Sequence, residues 1–326
     1  MPLNEALLSQ SAQLVRGAQR CLVVSHIRPD GDAIGSLLGL GLALQAAGKQ
    51  VQMVSEDGVP PPYRHLEGSQ QVVHKPDGEF DLTMVVDCSD LERVGGALGG
   101  IHQPDINIDH HATNLNFARI NLVDISATAT TEIIAEALPA WGLPLTQAVA
   151  AALLTGLITD TIGFRTANMT PRALRLAADL MEKGADLPEL YRRALVNRSF
   201  EAVRFWGAGL SRLERSDRLV WTKLTLEDRR AAQYPGRDDA DLINILSAVD
   251  GADIAMIFVE QPNGRVKVSW RAQPGYDVSQ IAVSLGGGGH SAASGAEVAG
   301  DINEIQTKVV ELTRPLLNGG HRVQSK

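Results

Sequence analysis

Over its first half the chain alternates short apolar runs with stretches of helical periodicity, the order of elements found in parallel α/β proteins. CLVVS at 21–25 reads as a strand, and the apolar-rich stretch 33–47 as a helix stopped by Gly48. VQMVS, LTMVVD and INID read as further short strands, and residues 130–141 and 146–158 as helices. Thr170-Pro171 pairs an N-cap with proline at the first helical position and opens a helix that runs to about Lys183. The opening segment, MPLNEALLSQSAQLVRGAQR, reads as an amphipathic helix and not as a signal peptide.

Residues 186–214 are mostly helical and charged in pattern, and are expected to connect two domains. After them the pattern changes to strands: RLVWTKL, then DIAMIFVE and RVKVSWR around Gln261-Pro262-Asn263-Gly264. Asn-Gly is a hairpin signal, and the proline lengthens the loop beyond two residues. VSQIAVSL reads as a short apolar helix.

A length of 326 residues favours two domains, each large enough to bury its own core. No run of about 18 apolar residues occurs, so no transmembrane helix and no membrane partner are expected. The two cysteines, Cys21 and Cys88, sit in apolar strand patterns and read as buried thiols. Without an export signal or a disulfide framework, a cytoplasmic location is expected. The formal charge of −8 argues against a long grip on duplex DNA, which needs a basic stripe. A short substrate is still allowed, because a few local cations and metal ions can hold a few phosphates.

Three of the apolar strands run into residues that bind metals. CLVVS leads to His26, LTMVV to Asp87, and INI to Asp109, His110 and His111. Ligand sites in open α/β sheets gather at the carboxyl ends of strands. In His26-Ile27-Arg28-Pro29-Asp30-Gly31-Asp32, proline and glycine allow a bent loop on which His26, Asp30 and Asp32 converge. The plainer alternative is a polar turn in which Asp32 caps the next helix. Asp87 could likewise be a helix cap. Of the adjacent histidines, which point in different directions, one could bind a metal while the other faces substrate. Asp160, in TGLITDTIGF, ends an apolar helix, where an unpaired carboxylate is costly. Carboxylates with a minority of imidazoles suit Mn²⁺ or Mg²⁺ better than thiolate-bound zinc. Two ions about 3.5–4 Å apart, bridged by one carboxylate, would use all four pieces and could clamp a phosphate ester.

HIRPDGDAIGS, VVDCSD, IDHHATN and TGLITDTIGF resemble, in order and context, the four motifs of the DHH phosphoesterase superfamily. SLGGGGHSAASGA resembles the glycine-rich signature of the DHHA1 domain that follows in one subgroup. Within the superfamily the chain is most similar to bifunctional oligoribonuclease and 3′-phosphoadenosine 5′-phosphate (pAp) phosphatases of the NrnA type. The resemblance implies an α/β catalytic domain over 1–188 with a mainly parallel sheet flanked by helices. A helical connector over 189–214 and a smaller α/β DHHA1 domain with a mixed sheet over 215–326 would follow. Two divalent ions, Mn²⁺ foremost, are implied. His26, Asp30 and Asp87 would hold one, and Asp32, Asp87, His110 and Asp160 the other. His111 would contact the scissile phosphate, with Asp109 supporting the histidines.

On the substrate side, Gly286, Gly287, Gly288 and Gly289 followed by His290 make a backbone that can approach a ligand closely and form an anion-binding concavity. Arg271, at the end of RVKVSW, is the candidate fork for a terminal phosphate. Trp206, Trp221 and Trp270 could stack on bases but fit core packing better. The expected substrate is short single-stranded RNA, cut to mononucleotides, or a small phosphorylated nucleotide such as pAp. The resemblance also allows a homodimer. Alternatives of the same chemistry are a cyclic di-AMP or pApA phosphodiesterase and a family II pyrophosphatase. A non-catalytic nucleotide sensor would have lost metal ligands, and each motif position here is filled.

Overall fold

The structure, a computed structural model, describes residues 4–318, apart from the side chains of His290 and Asn318. The chain divides into two compact units, Met1–Asn197 and Arg198–Lys326.

The first unit begins with α1 (Glu5–Gly17), which Asn4 caps, and continues with β1 (Arg20–Val24), α2 (Gly31–Ala46) and β2 (Gln50–Val54). Next come β3 (Leu82–Val86), β4 (Ile106–Asp109) and β5 (Ile120–Val123). The helices α3 (Thr130–Trp141), α4 (Gln147–Asp160), α5 (Pro171–Glu182) and α6 (Leu187–Tyr191) complete it. All five strands run parallel in the order β2-β1-β3-β4-β5, so the carboxyl ends of β1, β3 and β4 share one edge. Strands covered on both faces need apolar residues at every position, which is why the alternation of half-buried strands is missing here. Cys21 and Val23 of β1 pack under the helices, while Leu22 and Val24 meet Val94, Ala97 and Leu98 on the other face. Both cysteines are free and buried. Strand β5, which the apolar pattern did not mark, carries two half-exposed residues, Asn121 and Val123.

Helices α2 and α4 pack closely because α2 carries glycine every fourth residue along one side. A Cβ on Gly35 would lie 2.6 Å from the carbonyl oxygen of Ala152 and 2.8 Å from the backbone nitrogen of Gly156. Backbone cannot give way there, so only glycine fits. This contact brings the start of α2, with Asp30 and Asp32, next to the end of α4, with Asp160.

The second unit contains α7 (Phe200–Leu210), β6 (Glu214–Ser216), β7 (Leu219–Leu224), α8 (Leu226–Ala232) and α9 (Leu242–Leu246). It continues with β8 (Ile254–Glu260), β9 (Arg265–Ala272), α10 (Ser279–Ser284), β10 (Gly288–His290), β11 (Ala293–Ala299) and α11 (Ile302–Thr313). Its six strands form a mixed sheet, β10-β11-β9-β8-β7-β6, in which only β7 and β8 pair in parallel. The 261–264 loop joins β8 to β9 as a hairpin, with Gly264 at φ 72.

The helical stretch between the units is divided. Leu187, Leu190 and Leu195 pack into the first core, whereas Phe205 of α7 packs with Ala232, Leu242 and Leu246 in the second. Ser199 restarts the helix by capping the Ala202 amide. Trp221 and Trp270 are core residues, and Trp206 donates to the Ala240 carbonyl oxygen, so packing accounts for all three.

Gly35→Ala is expected to destabilise the first unit by about 1–3 kcal/mol through overpacking, read as a lower urea midpoint at unchanged slope. Gly17→Ala, where the added methyl meets nothing within 4 Å, serves as the control and should not lower the midpoint.

Candidate metal centre

His26 and Asp87 follow β1 and β3, and Asp109 ends β4, so the parallel sheet delivers them to one edge. Asp30 and Asp32 come from the start of α2. The residue that caps α2 is Asp30, whose carboxylate accepts from the amides of Asp32 and Ala33. Asp32 turns away from its own helix and caps α3 instead, accepting from the amides of Thr130 (2.6 Å) and Thr131 (3.1 Å). Asp87 sits in the left-handed region at φ 56 and accepts from the Thr130 hydroxyl at 2.9 Å. Asp160 is the last residue of α4, after which Ile162, Gly163 and Phe164 all take positive φ and stop the helix.

These elements bring all six expected metal ligands together. Ligand atoms of His26, Asp30 and Asp87 lie within 4.8 Å of one another, as do those of Asp32, His110 and Asp160, and those of Asp87, His110 and His111. His26 Nε2 is 3.5 Å from Asp87, and His110 Nε2 is 4.0, 3.9 and 3.6 Å from Asp32, Asp87 and Asp160. The other ring nitrogen of each histidine is occupied. His26 Nδ1 faces the Ile27 carbonyl oxygen at 2.8 Å, and His110 Nδ1 the Ala127 carbonyl oxygen at 3.4 Å. A carbonyl only accepts, so Nδ1 carries a proton, and loss of the second proton turns the Nε2 lone pair toward the cluster. His111 Nδ1 donates instead to Asp109 Oδ1 at 2.7 Å.

Asp32 is 1% and Asp87 2% exposed, and no lysine or arginine pairs with Asp30, Asp32, Asp87 or Asp160 among the described residues. Asp160 is half-buried and Asp30 exposed, but carboxylates that face one another beside the buried Asp32 and Asp87 must take up protons or share a cation. Burial, with Asp87 and Asp160 close by, pushes the Asp32 carboxyl well above its usual range. Burial and the Asp87 charge push Asp160 up to about 8, and its place at a helix carboxyl end adds to the strain. Burial would also raise Asp87, but the His26 hydrogen bond and the nearby His110 and His111 hold it far below. Burial works against the charged form of His111, yet the Asp109 hydrogen bond and the Asp87 charge raise it to about 9. The donor set, its crowding and its free Nε2 atoms fit a divalent cation.

The surroundings of the centre escaped the sequence reading. Thr128 donates its amide and hydroxyl to Glu132, at 2.7 and 2.8 Å, and Glu132 in turn meets Arg172 of α5 at 3.1 Å. Arg172 also holds Asp124 and Glu136. This network anchors the start of α3, on which Asp32 and Asp87 depend. Its residues carry no spacing signal, because partners 4 to 48 positions apart meet only in the fold.

In the second unit, Arg271 lies on β9, half-buried, with Nη1 donating to the Trp270 carbonyl oxygen. Burial lowers its pKa, while Asp239 and Asp241 act in the other direction. The glycine run is only partly a loop. Gly286 (φ 78) and Gly287 make the turn after α10, but Gly288 and Gly289 pair with Gly295 and Ser294 as edge strand β10. A Cβ on Gly287 would strike the backbone of Gly295 and Ala296, so close pairing with β11 requires glycine there. The backbone of His290 pairs with Ala293, and its side chain lies outside the described residues. No helix among the described residues is long and apolar enough to cross a membrane.

Residues 20–157 match the DHH family, N-terminal domain, and residues 232–314 the DHHA1 domain. The chain is 36% identical to the bifunctional oligoribonuclease and PAP phosphatase NrnA of Thermus thermophilus, over 90% of this chain and 88% of that protein. It is 26% identical to the protein of the same name from Bacillus subtilis, over 84% and 87%. An exopolyphosphatase-related protein from Bacteroides fragilis shares the fold, with a TM-score of 0.89 at 24% identity, covering 98% of this chain and 99% of that one.

The metal-free centre should make stability fall as pH rises. Asp160, at about 8, disfavours the fold increasingly as pH climbs from the ordinary carboxylate range. His111, at about 9, contributes stability that is full below the unfolded value near ~6.5 and is lost as pH rises through 9. Both act in one direction between about pH 6.5 and 8. The Tm of chelator-treated protein is therefore expected to fall over that interval, and added divalent ion to raise it most at the upper end. A Tm that rises with pH in the chelator-treated protein would contradict this assignment.

Proposed function

The chain belongs to the DHH family and carries a DHHA1 domain, and from that membership we propose that it is a two-metal phosphoesterase of short nucleotide substrates. It hydrolyses short oligoribonucleotides to mononucleotides and pAp to AMP. The observation that carries the reading is that Asp87 belongs to two groups of ligand atoms, with His26 and Asp30 and with His110 and His111, and that His110 joins the second to Asp32 and Asp160. His26, Asp30 and Asp87 would hold one divalent ion, and Asp32, Asp87, His110 and Asp160 the other. When bound, such a pair lowers the pKa of a water and neutralises charge on the phosphate and the leaving oxygen. Carboxylates with imidazole nitrogens favour Mn²⁺, with Mg²⁺ as the harder substitute.

The chain's own groups do the rest. Asp109 fixes the ring of His111 through Nδ1, which leaves Nε2 to donate to a phosphate oxygen. Thr130 and Thr131 hold Asp32 and Asp87 in place before any ligand arrives. In the second unit Arg271 binds a phosphate of the substrate, and Gly286, Gly287, Gly288, Gly289 and His290 belong to the same binding region. The first unit thus serves chemistry and the second binding. The reduced, buried cysteines are in keeping with a cytoplasmic enzyme, and assembly as a homodimer is compatible with the reading.

Mn²⁺-dependent hydrolysis of pAp, 5′-phosphorylated RNA of increasing length, pApA, cyclic di-AMP and pyrophosphate, measured side by side, tests the substrate class. Highest kcat/KM on pAp and RNA of a few residues is expected. Preference for cyclic di-AMP or pApA would move the enzyme to second-messenger turnover, and inactivity on all of them would remove the reading. Asp87→Ala should lower kcat more than about 100-fold, since loss of a ligand exceeds the 10–100-fold typical of residues behind ligands. Arg271→Ala should raise KM about 10–100-fold, the worth of a charged hydrogen bond, with metal content unchanged.

A further inference from the structure

Asn114 follows the two histidines by three and four positions and is absent from the ligand set. Its side chain makes more contacts than a turn requires. Oδ1 accepts from the Asn116 amide at 2.7 Å, which turns the loop and also settles the orientation of the side-chain amide. Nδ2 therefore faces the other way, toward three acceptors. These are Asp109 Oδ2 at 2.6 Å, Asn107 Oδ1 at 2.8 Å and the Cys88 carbonyl oxygen at 3.2 Å. Asn107, fully buried, donates to the same carbonyl at 3.1 Å. Next along the loop, the Leu115 amide bonds the Ser89 carbonyl oxygen at 2.8 Å.

Two consequences follow from this arrangement. Asp109 is fully buried, and its two oxygens are divided between His111 and Asn114, so the carboxylate cannot turn without breaking a charge-assisted hydrogen bond. Cys88 is the residue after Asp87, whose left-handed backbone needs support from its neighbours. One side-chain amide thus ties the loop after β4 to the loop after β3.

We propose that Asn114 is a positioning residue, which sets the Asp109–His111 pair at the reacting phosphate and braces the exit of β3 beside Asp87. This rests on the phosphoesterase reading above. A plain turn residue would need only Oδ1, which makes the two roles separable.

The test compares Asn114→Asp and Asn114→Ala with the wild-type chain on pAp. Asn114→Asp keeps the shape and the Oδ1 acceptor, so the turn survives, but it replaces the donor with an oxygen against Asp109. Expected for both variants is a fall in kcat of about 10–100-fold, as for other residues behind an active group, with KM changed less than about threefold. A second readout is the Nδ1 proton of His111 by NMR in the Mg²⁺-loaded chain, a low-field resonance expected to shift or vanish in both variants. If Asn114→Asp fails to fold, Asn114→Ala with the same two readouts decides the matter. Wild-type kcat and an unmoved resonance in a folded variant would overturn the role of Asn114 alone. A wild-type chain that hydrolyses no phosphate ester would overturn the reading on which it rests.

Discussion

The carboxylate of Asp32, buried and capped onto two amides at the start of α3, is the interaction on which the arrangement of the centre depends. A charge so far from solvent persists only where backbone donors or cations surround it. The amides come from a helix N-terminus, which favours negative charge. The same turn of α3 offers the Thr130 hydroxyl to Asp87, and Ala127 just before it faces His110. One helix start therefore sets three of the groups around the centre, and the buried Glu132–Arg172 pair sets that helix start.

That geometry stores repulsion. Asp32 and Asp160 converge because α2 and α4 meet backbone to backbone at Gly35 and Gly156. Side chains any larger would move the two helices apart and relax the carboxylates. The left-handed residues Asp87 and Arg28 lie in the same loops, as strained backbone commonly does at functional sites. Among the described residues no lysine or arginine pairs with these carboxylates, and a divalent cation would offset their repulsion.

The second unit is built differently. Its mixed sheet is covered on both faces, and its tryptophans fill core and packing positions, so base stacking on them is not on offer. The residues proposed to bind substrate there are a half-buried arginine and an edge strand of glycines. The run of four glycines suggested a free loop. Two of them instead join the sheet: a Cβ on Gly289, at φ 134, would strike the backbone of β11, whereas one on Gly288 would meet nothing within 4 Å.

How much of this could be read along the chain differs between ligands and supports. Strands β1–β4 and β7–β9, the helices over 130–141 and 171–182, and the 261–264 hairpin follow from local pattern: periodicity, caps and turn residues act over a few positions. His26, Asp87, Asp109, His110 and Asp160 stand where apolar elements end, so their convergence follows once the strands are parallel. Strand β5 and the division of the 186–214 helices were hidden, since burial by distant elements decides them. Likewise the local signal made Asp32 a cap for the helix it begins, whereas the fold uses it on α3, nearly a hundred residues later. Asn114, Thr130, Glu132 and Arg172 look like ordinary loop and surface residues in the sequence. Their roles come from hydrogen bonds between segments far apart in the chain, and such bonds exist only after the core has brought those segments together.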